Sequence, residues 1–128
     1  MQSLTGRVVH GDHVGKVLGY PTANLDCDIP SELGNGVYAV TVEIAGTPHD
    51  GVAVIRTRSK TTGRPRQAEV HIFDFDTEIY GNMITVMFLA FIRQFFAFPS
   101  REALIMQIEE DCMNARQILK DVHGNNNA

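Results

Sequence analysis

The sequence predicts a mainly β protein, a small antiparallel β-barrel closed by one C-terminal α-helix. Three observations support this fold class: apolar residues alternate with polar ones in segment 37–44, turn-forming residues separate several apolar segments, and a helical period begins after residue 100. The chain has 128 residues, 44% of them hydrophobic, which suits one domain with its own core. We expect that domain to cover residues 1–122 and a disordered tail to cover 123–128.

Segment 37–44 carries the clearest strand signal. Every second residue is apolar, and these residues share one face: Tyr38, Val40, Val42 and Ile44. Because Thr41 and Glu43 point to the other face, the pattern is typical of a half-buried strand. Further strands are predicted at 51–55, 69–75 and 84–95, with turns at 45–48 and 80–82 and a polar exposed loop at 59–65.

The period changes to that of an amphipathic helix after Pro99. Apolar or small residues recur at spacings of three and four: Leu104, Ile108, Cys112, Ala115 and Leu119. Ser100 is a good N-cap, and Glu102 lies in the first turn, where the helix dipole favours a negative charge. This helix is predicted to cover an open end or a face of the sheet.

Charge and composition exclude several classes of function. The formal net charge of −4 argues against broad binding to nucleic acid, which needs a basic surface. No apolar stretch approaches the roughly 18 residues of a membrane span, and the N-terminus lacks a signal-peptide pattern. Cys27 and Cys112 lie far apart and are expected to be reduced thiols. We therefore expect a cytoplasmic monomer that binds small molecules and neither nucleic acid nor a membrane.

A glycine-rich segment near the N-terminus is a candidate phosphate site. Between residues 6 and 19 it contains four glycines, which leave backbone N–H groups accessible: Gly6, Gly11, Gly15 and Gly19. Lys16 adds a positive charge, but Val17 stands where a P-loop needs Ser or Thr, and the spacing is one residue short. The segment is therefore not a P-loop, and a plain turn is the alternative.

Thr22 and Asn24 are candidate metal ligands. Because one residue separates them, their side chains project from the same side of an extended segment. Neutral hydroxyl and amide oxygens suit Mg²⁺ that takes its charge balance from phosphates, whereas an Asx or ST turn is the alternative. His10, Asp12 and His13 are also ligand types, but no fourth ligand accompanies them, and a polar surface is the simpler interpretation.

Glu69 is the candidate general base. It opens a predicted strand and shares a face with His71 and Phe73. A carboxylate beside apolar groups tends to have a raised pKa, which suits proton abstraction. The alternative is an exposed carboxylate at a strand edge.

Taken together, these residues resemble the riboflavin kinase (flavokinase) family, including the kinase half of bifunctional bacterial riboflavin kinase/FAD synthetases. The match begins with Gly-Lys-x-Leu-Gly-Tyr-Pro-Thr-Ala-Asn-Leu at 15–25, and the other blocks follow in the family's order. They are 36–40, Glu-Val-His-Ile-Phe-Asp-Phe at 69–75, Ile-Tyr-Gly at 79–81, Ile92-Arg93, Phe98-x-Ser100 and the helix positions 104–111. The resemblance spans about residues 6–119.

This resemblance implies a six-stranded antiparallel barrel with Greek-key character and a C-terminal helix. It also implies transfer of the γ-phosphate of ATP to the 5′-hydroxyl of riboflavin, giving FMN and ADP. Thr22 and Asn24 would help to hold Mg²⁺, and Glu69 would take the proton of the ribityl hydroxyl.

The remaining carried-over positions belong to substrate binding. Gly15 and Lys16 would lie in the loop over the phosphates, and Arg93 with the segment 93–98 would help to form the flavin pocket. The family's motifs also place Gly19, Pro21 and Tyr80 among the binding residues.

Two departures from the family pattern keep alternatives open. Where the family continues with Asn-Ile-Gly and then Arg-Pro-Thr, this chain has Val54-Ile55-Arg56 and a basic segment that ends at Pro65. Lys16 stands in place of an arginine, which removes a bidentate fork. The alternatives are a non-catalytic flavin- or nucleotide-binding module and a kinase for another polyol-bearing substrate.

Overall fold

A computed structural model of the chain describes residues 2–9, 20–57, 65–75 and 77–126. Within these ranges the chain forms six strands and one long helix. They are β1 (Gln2–Val9), β2 (Ala23–Asp26), β3 (Gly36–Ile44), β4 (Thr47–Thr57), β5 (Arg66–Ile72), β6 (Met83–Arg93) and α1 (Arg101–Asn126). The strands close into a barrel in the order β1-β2-β5-β4-β3-β6, and the pairings are all antiparallel.

The strand order contains a Greek key. Strands β3, β4 and β5 follow one another as neighbours, and β6 returns to pair with β3, giving the spatial order β6-β3-β4-β5. The structure therefore confirms the predicted fold class, a six-stranded antiparallel barrel with Greek-key character and a C-terminal helix.

Strand β3 shows how the sequence pattern builds the barrel. Its predicted apolar face lies in the interior cluster, where Val40 and Val42 are completely buried. The alternate residues Val37 and Ala39 are also buried, but in a second cluster on the outer face, beneath α1. Both faces of this part of the sheet are therefore covered, and β3 is more buried than the half-buried strand that the sequence predicts.

The hairpin between β3 and β4 is tighter than the sequence predicts. Ala45 and Gly46 both have positive φ, 50° and 82°, as a two-residue type I′ turn requires. The predicted turn at 45–48 and strand at 51–55 are therefore corrected, because β4 begins at Thr47 and continues to Thr57. Proline is tolerated at position 48 because this end of β4 pairs with β3 and, in the described part of the chain, has no strand on its other side. The missing N–H of Pro48 therefore removes no hydrogen bond to a second strand.

Two further strand boundaries differ from the predictions. Strand β5 covers Arg66–Ile72 instead of 69–75, because the chain turns at Phe73 and Asp74, where φ is 55°. Strand β6 covers Met83–Arg93 instead of 84–95. The turn predicted at 80–82 is present: Gly81 has a φ of 83°, and Asn82 N donates to Ile79 O at 3.0 Å.

Helix α1 lies on the outer face of the sheet. The Ser100 hydroxyl accepts a hydrogen bond from Ala103 N at 3.1 Å, which confirms the predicted N-cap. Ala115 and Leu119 are fully buried against the outer side chains of β3 and β4. The helix continues through Gly124 to Asn126 and so extends beyond residue 122, where the sequence predicts a tail. None of the described helical segments is both long and apolar enough to cross a membrane.

Candidate functional site

The barrel carries a pocket on its outer face, which we call the outer pocket. It has a volume of about 210 Å³ and lies between the outer side chains of β3–β5, the start of α1 and the segment 94–98. Its apolar walls are Val37, Val52, Val54, Phe95, Phe98, Leu104 and Ile108. Thr22, Arg56, Glu69 and His71 supply a polar end. The outer pocket therefore suits a ligand with a flat apolar part and a polar chain.

A second pocket, the end pocket, lies beside the first. Its volume is about 330 Å³, and part of its wall comes from side chains of the interior cluster, including Val8, Val70 and Ile72. Pro21, Thr77, Glu78 and Tyr80 supply its polar and exposed rim, with Tyr80 36% exposed. Thr22 lines both pockets. Groups bound in the two pockets can therefore approach each other beside Thr22.

Glu69 lies on the outer face of β5, in the wall of the outer pocket. Strand pairing places it directly opposite Asn24 of β2 on one side and Val54 of β4 on the other. Because opposite residues share a face, Glu69 and Asn24 lie together on the outside of the barrel. The Glu69 side chain is only 12% exposed, so it is not the exposed strand-edge carboxylate that the sequence leaves open as the alternative.

Glu69 and Asn24 each accept a hydrogen bond from a residue diagonally across a strand pair. Arg56 Nη2 of β4 donates to Glu69 Oε1 at 2.8 Å, and Gln67 Nε2 of β5 donates to Asn24 Oδ1. Arg56 and Gln67 are themselves directly opposite one another. The four side chains therefore form a continuous polar group across three strands, within reach of one another through diagonal neighbours.

His71 is held in one orientation beside Glu69. Its Nδ1 lies 2.8 Å from Pro21 O, and because a carbonyl can only accept, Nδ1 carries the proton. In the neutral ring, Nε2 is then an acceptor. The ring also packs edge-on against Tyr20 at 5.5 Å between centroids. Burial raises the pKa of the Tyr20 hydroxyl, and Glu109 of α1 adds to that effect.

Arg93 anchors the aromatic wall of the outer pocket to α1. Its Nε and Nη2 donate to both oxygens of Asp111 at 2.8–3.0 Å, and Asp111 is buried. Gln107 adds a donor to the same carboxylate at 3.0 Å. The guanidinium also lies 5.1 Å and 5.7 Å from the ring centres of Phe96 and Phe98. The segment after β6 is therefore held in place by an ion pair and two cation–π contacts.

Cys112 lines the same pocket but is not an active nucleophile. Burial raises the pKa of its thiol to about 11, and the carboxylate of Asp111 adds to that shift. At neutral pH the side chain is therefore a neutral thiol and contributes to the pocket as an apolar group.

The structure brings together many of the residues that the sequence singles out. Glu69, Thr22 and Arg93 line the outer pocket, and Pro21, Thr22 and Tyr80 line the end pocket. Asn24 is 4% exposed and neighbours Glu69 across the strands. Gly15, Lys16 and Gly19 lie outside the described residues, as do the following candidates: His10, Asp12 and His13. Among the described residues no cluster of three or more His, Cys, Asp or Glu side chains could hold a metal ion.

Sequence reasoning overlooked two members of the polar group. Gln67 lies two residues before Glu69 on β5, so the alternation of side chains along a strand places both on the outer face. The sequence marks Arg56 only as a departure from the family pattern, because its contact with Glu69 depends on the register between β4 and β5.

The family model and the curated relatives that match the sequence belong to one family. A family model described as riboflavin kinase (flavokinase) matches residues 1–119. The chain is 41% identical over 114 residues to a bifunctional riboflavin kinase/FMN adenylyltransferase of Haemophilus influenzae, and 40% identical over 116 residues to one of Escherichia coli K12. These matches cover 88% and 90% of the chain but 37% of the length of each relative.

Solved structures share the fold. A riboflavin kinase from Trypanosoma brucei superposes with a TM-score of 0.67 at 26% identity, covering 92% of this chain and 76% of that one. A structure described as a macrolide-efflux protein from Streptococcus pneumoniae has a TM-score of 0.77 at 37% identity, covering 85% of this chain and 36% of that one.

Proposed function

The chain belongs to the riboflavin kinase family, and on that basis we propose that it transfers the γ-phosphoryl group of ATP to the 5′-hydroxyl of riboflavin, giving FMN and ADP. One observation carries the proposal: two pockets share Thr22, and Glu69 lines one of them beside that residue. A donor in one pocket and an acceptor in the other would then meet next to a carboxylate.

The outer pocket is the proposed flavin site. An isoalloxazine ring is flat and largely apolar, which suits the walls formed by Val54, Phe95, Phe98 and Leu104. The ribityl chain would then run toward Glu69, where polar side chains line the pocket. Arg93 serves this site indirectly, because its bonds to Asp111 fix the segment that carries the aromatic side chains.

The end pocket is the proposed ATP site. Pro21 and Tyr80 at its rim would contact the nucleotide, and Thr22 would face its phosphates. Gly15, Lys16 and Gly19 precede this segment in the chain and are proposed to cover the phosphates with backbone N–H groups and one ammonium.

Glu69 is the proposed general base. Its carboxylate is held on the rigid strand β5, and Arg56 occupies Oε1, which leaves Oε2 to accept a hydrogen bond from the acceptor hydroxyl. Phosphoryl transfer needs little covalent work from the protein, so holding the hydroxyl in line with the phosphorus and removing its proton are the main tasks.

Thr22 and Asn24 are the proposed residues for Mg²⁺. Both offer neutral oxygens. Asn24 Oδ1 accepts one hydrogen bond from Gln67, and because an amide oxygen has two lone pairs, the second can face a metal ion. This donor set fits a hard cation whose remaining ligands come from phosphates and water. When bound, Mg²⁺ neutralises charge on the phosphate oxygens.

Incubation of the protein with riboflavin, ATP and Mg²⁺, followed by chromatography of the flavins, tests the proposal. We expect FMN and an equal amount of ADP. Lumiflavin, which has the ring but no ribityl chain, is the matched acceptor and should give no phosphorylated product. Absence of FMN above a protein-free control would contradict the proposal, and faster phosphorylation of a free polyol such as ribitol would favour the other-acceptor alternative.

The non-catalytic module remains the second candidate, and one observation favours it. Arg56, at a position where the family pattern has Gly, contacts the carboxylate that would act as the base. A module of this kind binds riboflavin tightly in calorimetry and forms no FMN, whereas binding together with turnover would exclude it.

A further inference from the structure

Arg56 and Glu69 form an ion pair inside the outer pocket. Val54 lies opposite Glu69 across β4 and β5, and Arg56 lies two residues farther along the same face. This diagonal spacing is within reach of a long side chain, and Arg56 Nη2 lies 2.8 Å from Glu69 Oε1. The Arg56 side chain is 39% exposed, whereas that of Glu69 is 12% exposed. The arginine is therefore the more solvent-accessible member of the pair.

The transfer reaction would place a new negative charge at this spot. An alkyl phosphate carries about −1.5 to −2 charge at pH 7 and three acceptor oxygens. A carboxylate alone would repel that group, because both are anions at short range. Glu69 therefore needs a cation beside it if the phosphorylated product is to stay bound.

Two arginines line the outer pocket in the described part of the chain, and Arg56 is the one that contacts Glu69. Arg93 is held by both oxygens of the buried Asp111. Arg56 Nη2 donates to Glu69 Oε1, and the planar fork of a guanidinium matches the geometry of a phosphate. Thr22, which the end pocket shares, lines the outer pocket together with Arg56 and Glu69.

We propose that Arg56 is a phosphate-recognition residue of the outer pocket, which pairs with Glu69 before transfer and binds the 5′-phosphate of the product after it. The proposal rests on the proposed function. In the transfer step, the 5′-hydroxyl gives its proton to the Glu69 carboxylate, and its oxygen bonds to the γ-phosphorus. The bond from that phosphorus to the β–γ bridging oxygen breaks, and its electron pair leaves with ADP.

Proton uptake by Glu69 links the two partners of Arg56. The neutral carboxyl no longer balances the guanidinium charge, and this happens as the phosphoryl oxygens reach the outer pocket. Arg56 therefore gains an anionic partner at the step in which it loses one. In the family pattern a glycine stands at this position, so recognition by a guanidinium is a property of this chain's own sequence.

Flavin binding without nucleotide tests the proposal, with riboflavin and FMN as probes and quenching of flavin fluorescence as the signal. We expect Arg56→Gln to weaken FMN binding about tenfold while riboflavin binding changes by less than about threefold. Arg56→Lys keeps the positive charge without the fork and should fall between the wild type and Arg56→Gln. Lys120→Gln removes one positive charge from the exposed side of α1 and should leave both affinities unchanged.

The ratio of the FMN and riboflavin affinities is the decisive quantity. It is measured on one preparation, so a partly unfolded variant lowers both signals and leaves the ratio intact. An equal loss of both affinities in Arg56→Gln, or no loss, would overturn the proposal and leave the proposed function standing. A wild-type protein that binds neither flavin would overturn the proposed function itself, and this inference with it.

Discussion

Arg93 at the end of β6 and Asp111 of α1 form a two-pronged ion pair, with Nε–Oδ1 and Nη2–Oδ2 distances of 2.9 Å and 2.8 Å. Their side chains are 16% and 4% exposed. The pair joins the last strand to the helix, and both residues line the outer pocket, so the pocket wall and the barrel–helix contact depend on the same bonds.

Asp111→Asn should destabilise the protein strongly. The change keeps the shape of the side chain but leaves the Arg93 guanidinium without its carboxylate, and breaking such a pair costs about 3–5 kcal/mol when it is buried. Urea denaturation at pH 7 measures the free energy of unfolding. Glu110→Gln changes the neighbouring exposed carboxylate and serves as control. A loss for Asp111→Asn no larger than that of the control would refute the anchoring role.

Thr22→Val should raise the Mg²⁺ concentration that gives half-maximal FMN formation by about tenfold or more. Valine keeps the volume of threonine and removes the hydroxyl that we propose as a metal ligand. Thr47→Val makes the same change at the exposed start of β4 and should have no effect. An unaltered Mg²⁺ titration for Thr22→Val would show that this hydroxyl does not serve the metal.

Cys112 should react slowly with iodoacetamide at pH 8. Since the pKa of the thiol is raised to about 11, only about a thousandth of it is thiolate at that pH, and the rate should rise with pH until about 11. The variant Cys27→Ser leaves Cys112 as the single cysteine, and glutathione in the same tube is the reference thiol. Mass spectrometry follows the modification, and riboflavin should slow it further. Alkylation as fast as that of glutathione would contradict the buried, neutral thiol.

Glu69→Gln should strengthen FMN binding about fivefold, although Glu69 lines the pocket. The neutral amide no longer repels the product phosphate, and Arg56 loses the carboxylate that competes for it. Riboflavin affinity, which involves no phosphate, should change little. Calorimetry with both flavins measures the two affinities, and weaker FMN binding by the variant would contradict the exchange of partners.

Strand β3 and the helix cap could be predicted because their signals are local. Alternation in β3 is a property of neighbouring residues, and Ser100 caps the helix through a residue three positions away. The start of β4 could not be predicted, because Pro48 is tolerated only where β4 lacks a second neighbour. That condition depends on the arrangement of three strands and is absent from the local sequence.

The candidate site, too, could be predicted from the sequence only in part. Glu69 and Thr22 could be proposed from strand parity and side-chain chemistry, and the structure brings both to the outer pocket. The partner of Glu69 could not be proposed, since Arg56 reaches it only through the register between two strands. That Arg93 helps to form the pocket could be proposed from the resemblance, whereas its pairing with Asp111 could not, because it joins a strand to a helix.

The rate of FMN formation in a single turnover tests the central claim most directly, with protein in excess over riboflavin and with ATP and Mg²⁺ saturating. If Glu69 takes the proton of the 5′-hydroxyl, Glu69→Gln should lower that rate by about 10²–10⁴-fold while riboflavin still binds. Glu43→Gln, which alters an exposed carboxylate on β3, should match the wild type. A Glu69→Gln rate within about twofold of the wild-type rate would contradict the account.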